Sequence, residues 1–414
     1  MIRLNAILAS TALLVGLTNN HPDIAHGFAD RATLRGTQDV RPLALTAYGD
    51  PYRTMVFPGG DWDELSPESV GVDSRKLTAA LDYLRSNSGR SGLARAIVVR
   101  DGYLIWQGRQ ADQVQGVWSI TKSFTNAVLG VLDGDGVASL DTVAYPYVPT
   151  LRQHYATVTL RHFATMTSGY RALGDDDDSY GQSGTPFFPA APLFAPPGSA
   201  FAYWDSAANE YAYVLTQIAR EPLERVFERR IASFIGMNRD GWRWDNYGQV
   251  DGIVVNGGAG NQAMVSISAK QLGRFGLLFL NRGKWNGRQV LRESWVDQSM
   301  ALQVPTGIPL GNCKVSGFDG RGIFGLLAWW TNGILPEVRY RTNCTAYVAS
   351  AERQWPDAPI GTRALIGYNN NRMFVIPEWQ MVVVRLGLDE QDGAVSEEVY
   401  NRFLEKMGEA VTTG

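Results

Sequence analysis

Histidine and cysteine are scarce in this chain. Four His and two Cys occur in 414 residues. No His-Glu-x-x-His and no Cys/His cluster is present, so the usual zinc-hydrolase patterns are absent. No Gly-x-Ser-x-Gly elbow occurs either, so a strand–turn–helix nucleophile of that type has no counterpart. Excess charge is also missing, with 38 Lys and Arg against 41 Asp and Glu, a net of −3. That balance gives no general reason to bind nucleic acid or an anionic membrane. Beyond the N-terminus, no segment is apolar for long enough to span a bilayer. No internal repeat is visible. The acidic run Asp175–Asp178 reads as a solvated loop rather than a cation site.

The N-terminus itself reads as an export signal. Arg3 precedes an apolar run from Ala6 to Leu17, too short to cross a bilayer comfortably. Gly27-Phe28-Ala29 places small residues where a signal peptidase reads, so residues 1–29 are expected to be removed and the protein to be periplasmic or secreted. In such a compartment, Cys313 and Cys344 form either one disulfide or two buried thiols. Residues 30–60 are punctuated by Pro and Gly and read as a surface segment, ahead of a main domain over 61–414.

The order of elements implies an α+β fold. A helix is expected within Ser66–Leu84, from Leu77, Ala80, Leu81 and Leu84 at helical spacing. Ala94–Gly108 reads as a hairpin around the Asp101-Gly102 turn. Ile120, Phe124, Ala127, Val128, Val131 and Leu132 mark a second helix that Asp133-Gly134 ends. Further helices are expected over Thr159–Thr167, Ser206–Arg220, Ser268–Leu280 and Ser396–Met407. Strands are expected over Thr362–Gly367, Met373–Ile376 and Met381–Leu386. Strands at both chain ends and helices between them imply a sheet lobe from about 61–115 and 320–414, with a helical lobe over about 116–319 inserted in it.

Ser119-Ile120-Thr121-Lys122 sits where the second helix begins. Of six Lys in the chain, only Lys122 has Ser three residues before it. Residues three apart share a helix face, so the amine lies over the hydroxyl. A Ser hydroxyl needs a neighbouring base to become a nucleophile, and Lys serves when its surroundings favour the neutral amine.

Taken with its surroundings, this tetrapeptide resembles the nucleophile motif of the serine β-lactamase and penicillin-binding-protein superfamily. The similarity is to the class C-like branch, with its family VIII carboxylesterases and 6-aminohexanoate-oligomer hydrolases. It extends over Val117–Ser123, Thr159-Leu160-Arg161-His162 with Met166-Thr167-Ser168-Gly169, and Pro197-Gly198-x-x-Phe201-x-Tyr203. It continues through Ser268-Ala269-Lys270, Gly273-Arg274-Phe275-Gly276 and Trp285-Asn286-Gly287. The resemblance implies an antiparallel sheet flanked by helices, no cofactor and no metal.

It also implies roles. Ser119 would be the nucleophile, Lys122 its base, and Tyr203 of Tyr203-Trp204-Asp205 a proton shuttle. Asp205 stands where the family has Asn, and its charge would hold Lys122 protonated. The strand Leu365-Ile366-Gly367-Tyr368-Asn369-Asn370-Asn371 aligns with the family's edge strand opposite the nucleophile. Gly367 matches, while Asn370 and Asn371 replace a later Gly and Gln. The backbone N–H groups of Ser119 and Tyr368 would then form an oxyanion hole. Gly367, Asn369, Asp205, Trp118, Trp204 and Trp330, with Trp329, would border the substrate.

No Lys stands on that strand to hold a β-lactam carboxylate, and the directions of Arg363 and Arg372 are open. A neutral small-molecule ester is therefore expected first and an amide second, with β-lactamase or D-Ala-D-Ala peptidase chemistry as an alternative. A Ser-His-Asp mechanism would have to use His154 or His162, and His162 lies in a helix that the family uses structurally. A non-catalytic binding protein keeping the fold is the remaining alternative.

Overall fold

The computed structural model describes residues 55–175, 189–311, 319–337, 348–389 and 393–412. Cys313, Cys344, residues 1–29, which were expected to form a signal, and Asp176–Asp178 lie outside these residues. No helix among the described residues is long and apolar enough to cross a membrane.

A six-stranded antiparallel sheet carries the fold. In chain order its strands are β1 (Ala96–Arg100) and β2 (Tyr103–Gln107), and later β6 (Trp329–Thr331), β7 (Arg363–Gly367), β8 (Asn371–Ile376) and β9 (Met381–Arg385). Their spatial order is β6-β7-β8-β9-β1-β2. The β1 and β9 runs, Ala-Ile-Val-Val and Met-Val-Val-Val, are buried throughout, which fits central strands covered on both faces. A second, small sheet has the order β3-β5-β4, from β3 (Gln115–Gly116), β4 (Trp242–Trp244) and β5 (Val265–Ile267).

The main helices are α1 (Ser74–Ser86), α2 (Thr121–Gly134), α3 (Leu160–Ala164), α4 (Asp205–Ala219), α5 (Ala269–Leu280) and α6 (Glu397–Ala410). α5 covers one sheet face. A Cβ on Gly276 would meet Met373 Sδ and Val382 Cγ1 at 2.7 Å, and one on Gly273 would meet Ile97 Cδ1 at 2.5 Å. The Gly-Arg-Phe-Gly stretch thus lets the helix sit directly on the strands. Its Arg274 is buried and donates to the carbonyls of Pro58, Gly59 and Ile235, pinning the segment that enters the domain. α6 covers the other face, where Tyr400 packs on Phe374 at 5.8 Å and Glu397 pairs with Arg372 at 2.8 Å.

The α+β class read from sequence is the architecture found, with several local differences. Ser66–Leu84 is two elements. A 3-10 turn over Pro67–Val70 stops at Gly71 (φ 72°), and α1 restarts at an Asp73 cap whose carboxylate accepts from Arg75 and Lys76 N–H. The helix expected over Thr159–Thr167 ends at Ala164, and Met166 turns to φ 55°. The middle of the chain also holds strands, β4, β5 and the hairpin Asn246–Val250/Ile253–Asn256, which no sequence period revealed. β7 is an inner strand, since β6 pairs with its first half through Trp329↔Leu365, Trp330↔Ala364 and Thr331↔Arg363. The edge on this side of the sheet is β6, and β2 is the other.

Candidate active site

Ser119 lies on a 3-10 turn, Trp118–Ile120, that runs directly into α2. The turn is held from several sides. Val117 N–H donates to Val265 O at 3.0 Å, and Val265 N–H donates to Thr121 Oγ1 at 3.0 Å, so β5 grips both ends of it. Trp118 sits at φ 51°, a costly region for a bulky side chain. Two glycines allow the backbone to be packed this tightly. A Cβ on Gly260 would stand 2.0 Å from Trp118 O, and one on Gly367 would stand 2.2 Å from Val117 O. Ser119 itself stays partly exposed.

Lys122, one turn into the helix, is completely buried. Its Nζ lies 3.1 Å from Ser119 Oγ, 2.7 Å from Asp205 Oδ1 and 2.7 Å from Ala259 O. It also stands 4.8 Å from the centroid of the Tyr203 ring. The Tyr203 hydroxyl hydrogen-bonds with Ser119 and Lys122. Ser119, Lys122, Tyr203 and Asp205 therefore converge, although 84 residues of chain separate the first from the third.

Burial on its own would push the Lys122 ammonium down. The Asp205 carboxylate and the Tyr203 oxygen beside it more than offset this and hold it above the usual lysine value. Burial raises the Tyr203 phenol, against the pull of Lys122. Burial likewise lifts Asp205 above the ordinary carboxylate range, opposed by its Lys122 partner. The two side chains form a buried ion pair, which favours the protonated lysine.

Two contributors were not read from sequence. Ala259 supplies the third acceptor for Lys122, and Asn209 on α4 fixes it. Asn209 Oδ1 accepts the N–H groups of Gly258 and Ala259, each at 3.0 Å. The signal was present in Gly257-Gly258-Ala259-Gly260, where glycines permit close backbone approach, and in Asn209 standing one helical turn after Asp205.

The end of β7 runs past the nucleophile turn. Gly367 abuts Val117 O, and Tyr368 follows at the start of a three-residue loop closed by the Gly367↔Asn371 pair. Asn369 (φ 64°) and Asn370 (φ 60°) take the left-handed conformations this loop needs. Asn371 Nδ2 donates to Tyr368 O at 2.7 Å, and its Oδ1 accepts from Gln115 Nε2 at 2.9 Å. Asn370 bonds Asp389 and the Val395 N–H. The two residues that replace the family's Gly and Gln thus shape the loop. Asn369 is buried, with its carbonyl against Gly387, so it does not border an open cleft.

The tryptophans divide sharply. Trp118 is partly exposed and meets the exposed Tyr368 ring edge-on at 5.0 Å. Trp330 is buried behind Tyr203, stacked at 6.3 Å. Trp204 is buried against Phe194 and donates Nε1 to Asp175 at 2.9 Å. Trp329 turns to the opposite face of the sheet and packs on Phe279 at 4.6 Å, because neighbours on a strand alternate. Only Trp118 of the four presents surface beside Ser119.

Neither arginine of the strand pair is available to an anionic substrate. Arg363 donates to the carbonyls of Met300, Ile360 and Thr362. Arg372 is committed to Glu397 on the α6 side. His162 Nδ1 accepts the Thr159 N–H at 3.1 Å and caps α3, and burial lowers its pKa. No group of His, Cys, Asp and Glu able to hold a metal occurs among the described residues.

An antiparallel sheet of this topology with helices on both faces is the architecture of the serine β-lactamase and penicillin-binding-protein superfamily. The chain belongs to the beta-lactamase family, whose pattern matches residues 77–365. Among solved structures it is similar to a Bacillus anthracis protein assigned as a 6-aminohexanoate-dimer hydrolase. That likeness has 19% identity and a TM-score of 0.56, covering 86% of this chain and 88% of that one. It is also similar to EstCE1, a hydrolase with promiscuous acyltransferase activity, at 15% identity and a TM-score of 0.56, covering 82% and 99%. A class C beta-lactamase from Rhodobacter sphaeroides is similar at 13% identity and a TM-score of 0.52, covering 81% and 99%. No curated protein is similar enough in sequence to count as a match.

Proposed function

We propose that this protein is an exported serine hydrolase that cleaves ester bonds of small molecules through an acyl-enzyme on Ser119. One observation carries the reading: Lys122 Nζ lies 3.1 Å from a partly exposed Ser119 Oγ, with the Tyr203 phenol bonded to both. Ser119 Oγ attacks the carbonyl carbon while its proton leaves through the Lys122/Tyr203 pair. The backbone N–H groups of Ser119 and Tyr368 receive the oxyanion, each worth about 3 kcal/mol of barrier. Tyr203 protonates the leaving group, and water releases the acyl chain by the reverse sequence.

A neutral substrate is favoured because Arg363 and Arg372 are spent on other partners. The amide reading takes support from the likeness to the Bacillus anthracis protein. A panel of p-nitrophenyl esters, a 6-aminohexanoate dimer and nitrocefin, run on wild type and Ser119→Ala, tests the assignment. Ester turnover lost in the variant supports it. Turnover retained by Ser119→Ala sinks it, and nitrocefin turnover above that of every ester would make the β-lactamase reading the better one. N-terminal sequencing of the exported protein tests removal of residues 1–29.

A further inference from the structure

The geometry points to Asp205 as the group that holds the Ser119 proton during acylation, with Lys122 passing it on; this rests on the serine-hydrolase reading above. An ammonium has three N–H bonds and no lone pair. Lys122 Nζ is surrounded by oxygens, with Ser119 Oγ at 3.1 Å, Asp205 Oδ1 and Ala259 O each at 2.7 Å, and the Tyr203 hydroxyl beside them. Paired with the Asp205 carboxylate, the resting lysine is the ammonium and has no lone pair with which to act as a base. It becomes one only by giving a proton away.

Its partners differ in their ability to accept. Ala259 O is a peptide carbonyl and is too weakly basic. Ser119 is the group to be deprotonated. The Tyr203 phenol carries its own proton, which burial keeps on it. Asp205 Oδ1, at 2.7 Å, is the remaining acceptor, and it stands on the far side of Nζ from the serine in the bonding chain. Burial favours its neutral acid form. The other titratable groups acting on this carboxylate are Asp175, beyond Trp204, and Tyr203 and Tyr247, while Lys122 supplies the positive charge.

The step balances. Ser119 Oγ forms a bond to the acyl carbon, and the carbonyl π pair moves onto its oxygen. The Ser119 proton moves to Nζ, and one Nζ proton moves to Asp205 Oδ1. Before the step the charges are Lys122⁺ and Asp205⁻. After it they are Lys122⁺, neutral Asp205 and the oxyanion. Net charge is unchanged, and the negative charge has crossed from the carboxylate to the substrate. When the intermediate collapses, the proton returns through Lys122 and Tyr203 to the leaving group. The carboxylate is thus a positioning and proton-holding residue that never touches substrate.

The test is the rate of fluorophosphonate labelling of the whole protein, followed from about pH 4 to about pH 11. It compares wild type, Asp205→Asn, Asp205→Glu and Ser119→Ala, with fold checked by circular dichroism. Wild type should label on Ser119, with an acidic limb reporting one protonation. Asp205→Asn should lose on the order of 10²-fold at neutral pH and regain most of it as pH rises through the lysine range, where solvent takes the Nζ proton. Asp205→Glu should keep the acidic limb and most of the rate. Folded Asp205→Asn with the wild-type profile overturns the inference, and so does a uniform loss without alkaline recovery. Should Asp205→Asn not fold, an Asp205→Glu profile lacking the acidic limb overturns it. Wild type that does not label on Ser119 at all overturns the serine-hydrolase reading and this inference with it.

Discussion

The side-chain oxygen of Asn209 accepts the backbone N–H of Ala259 at 3.0 Å, and the carbonyl of that same Ala259 accepts Lys122 at 2.7 Å. A helix residue with no contact to the serine therefore sets where the lysine ends. Asn209→Ala should leave two buried N–H groups orphaned, at about 1–3 kcal/mol of stability. It should also lower kcat on a p-nitrophenyl ester by roughly tenfold or more with little change in KM. Steady-state kinetics beside a urea unfolding curve check both numbers.

Ser119→Ala should abolish acyl transfer and shift stability by less than about 1 kcal/mol, because the side chain is small and partly exposed. Lys122→Ala should act differently. It removes a buried cation and strands the Asp205 carboxylate, so kcat should collapse and stability should fall by about 3–5 kcal/mol. A mass shift with a fluorophosphonate, read beside thermal unfolding, separates the two variants.

Gly260→Ala should be more damaging than its distance from the chemistry suggests. The residue sits at φ 90°, and the new methyl would stand 2.0 Å from Trp118 O and 3.0 Å from Ser119 N. Backbone strain and overpacking together should cost about 2–5 kcal/mol. The turn must also shift, so labelling of Ser119 should drop even in the folded fraction. Unfolding curves and labelling rates on the same sample test this.

Glu210 gives a stability prediction with a definite sign. It is buried in α4, bonded to the Tyr170 hydroxyl at 3.2 Å, and burial pushes its pKa up to about 7. In the unfolded chain the value is about 4.3. Between these values the folded state binds the extra proton, so stability falls as pH rises through this window and levels off above it. The full swing is about 4 kcal/mol. Glu210→Gln mimics the protonated form. It should therefore lose the slope and exceed wild type in melting temperature near pH 8, as thermal scans across the window would report.

Much of this fold was legible because its signals are local. The Asp101-Gly102 turn between two apolar runs identified β1 and β2, and the periods of α2, α4, α5 and α6 placed them within a few residues. β4 and β5 were not legible, since three residues each carry too little alternation to register against the aromatic and Gly-rich sequence around them. At the site, the Ser119–Lys122 approach follows from helix geometry. The Ala259 contact does not, because it spans 137 residues and uses a carbonyl that every residue possesses. Which tryptophans would face the serine was equally hidden. Adjacent Trp329 and Trp330 fall on opposite faces, and only the β6–β7 register decides which. The replacement of Gly and Gln by Asn at 370 and 371 carried no local signal of its purpose, and the hydrogen bonds of both residues shape the loop that carries Tyr368.

Gln115 joins the segment that leads into Ser119 to the loop that carries Tyr368. It lies two residues before Val117, and its amide reaches Asn371 at the foot of the Tyr368 loop and the carbonyl of Gly387 at 2.7 Å. Movement of the sheet against the helices would then carry the Ser119 turn and the Tyr368 loop together. The spacing between Ser119 and Tyr368 would then be preserved while their common position drifts, as the jaws of a calliper keep their gap when the whole tool is moved.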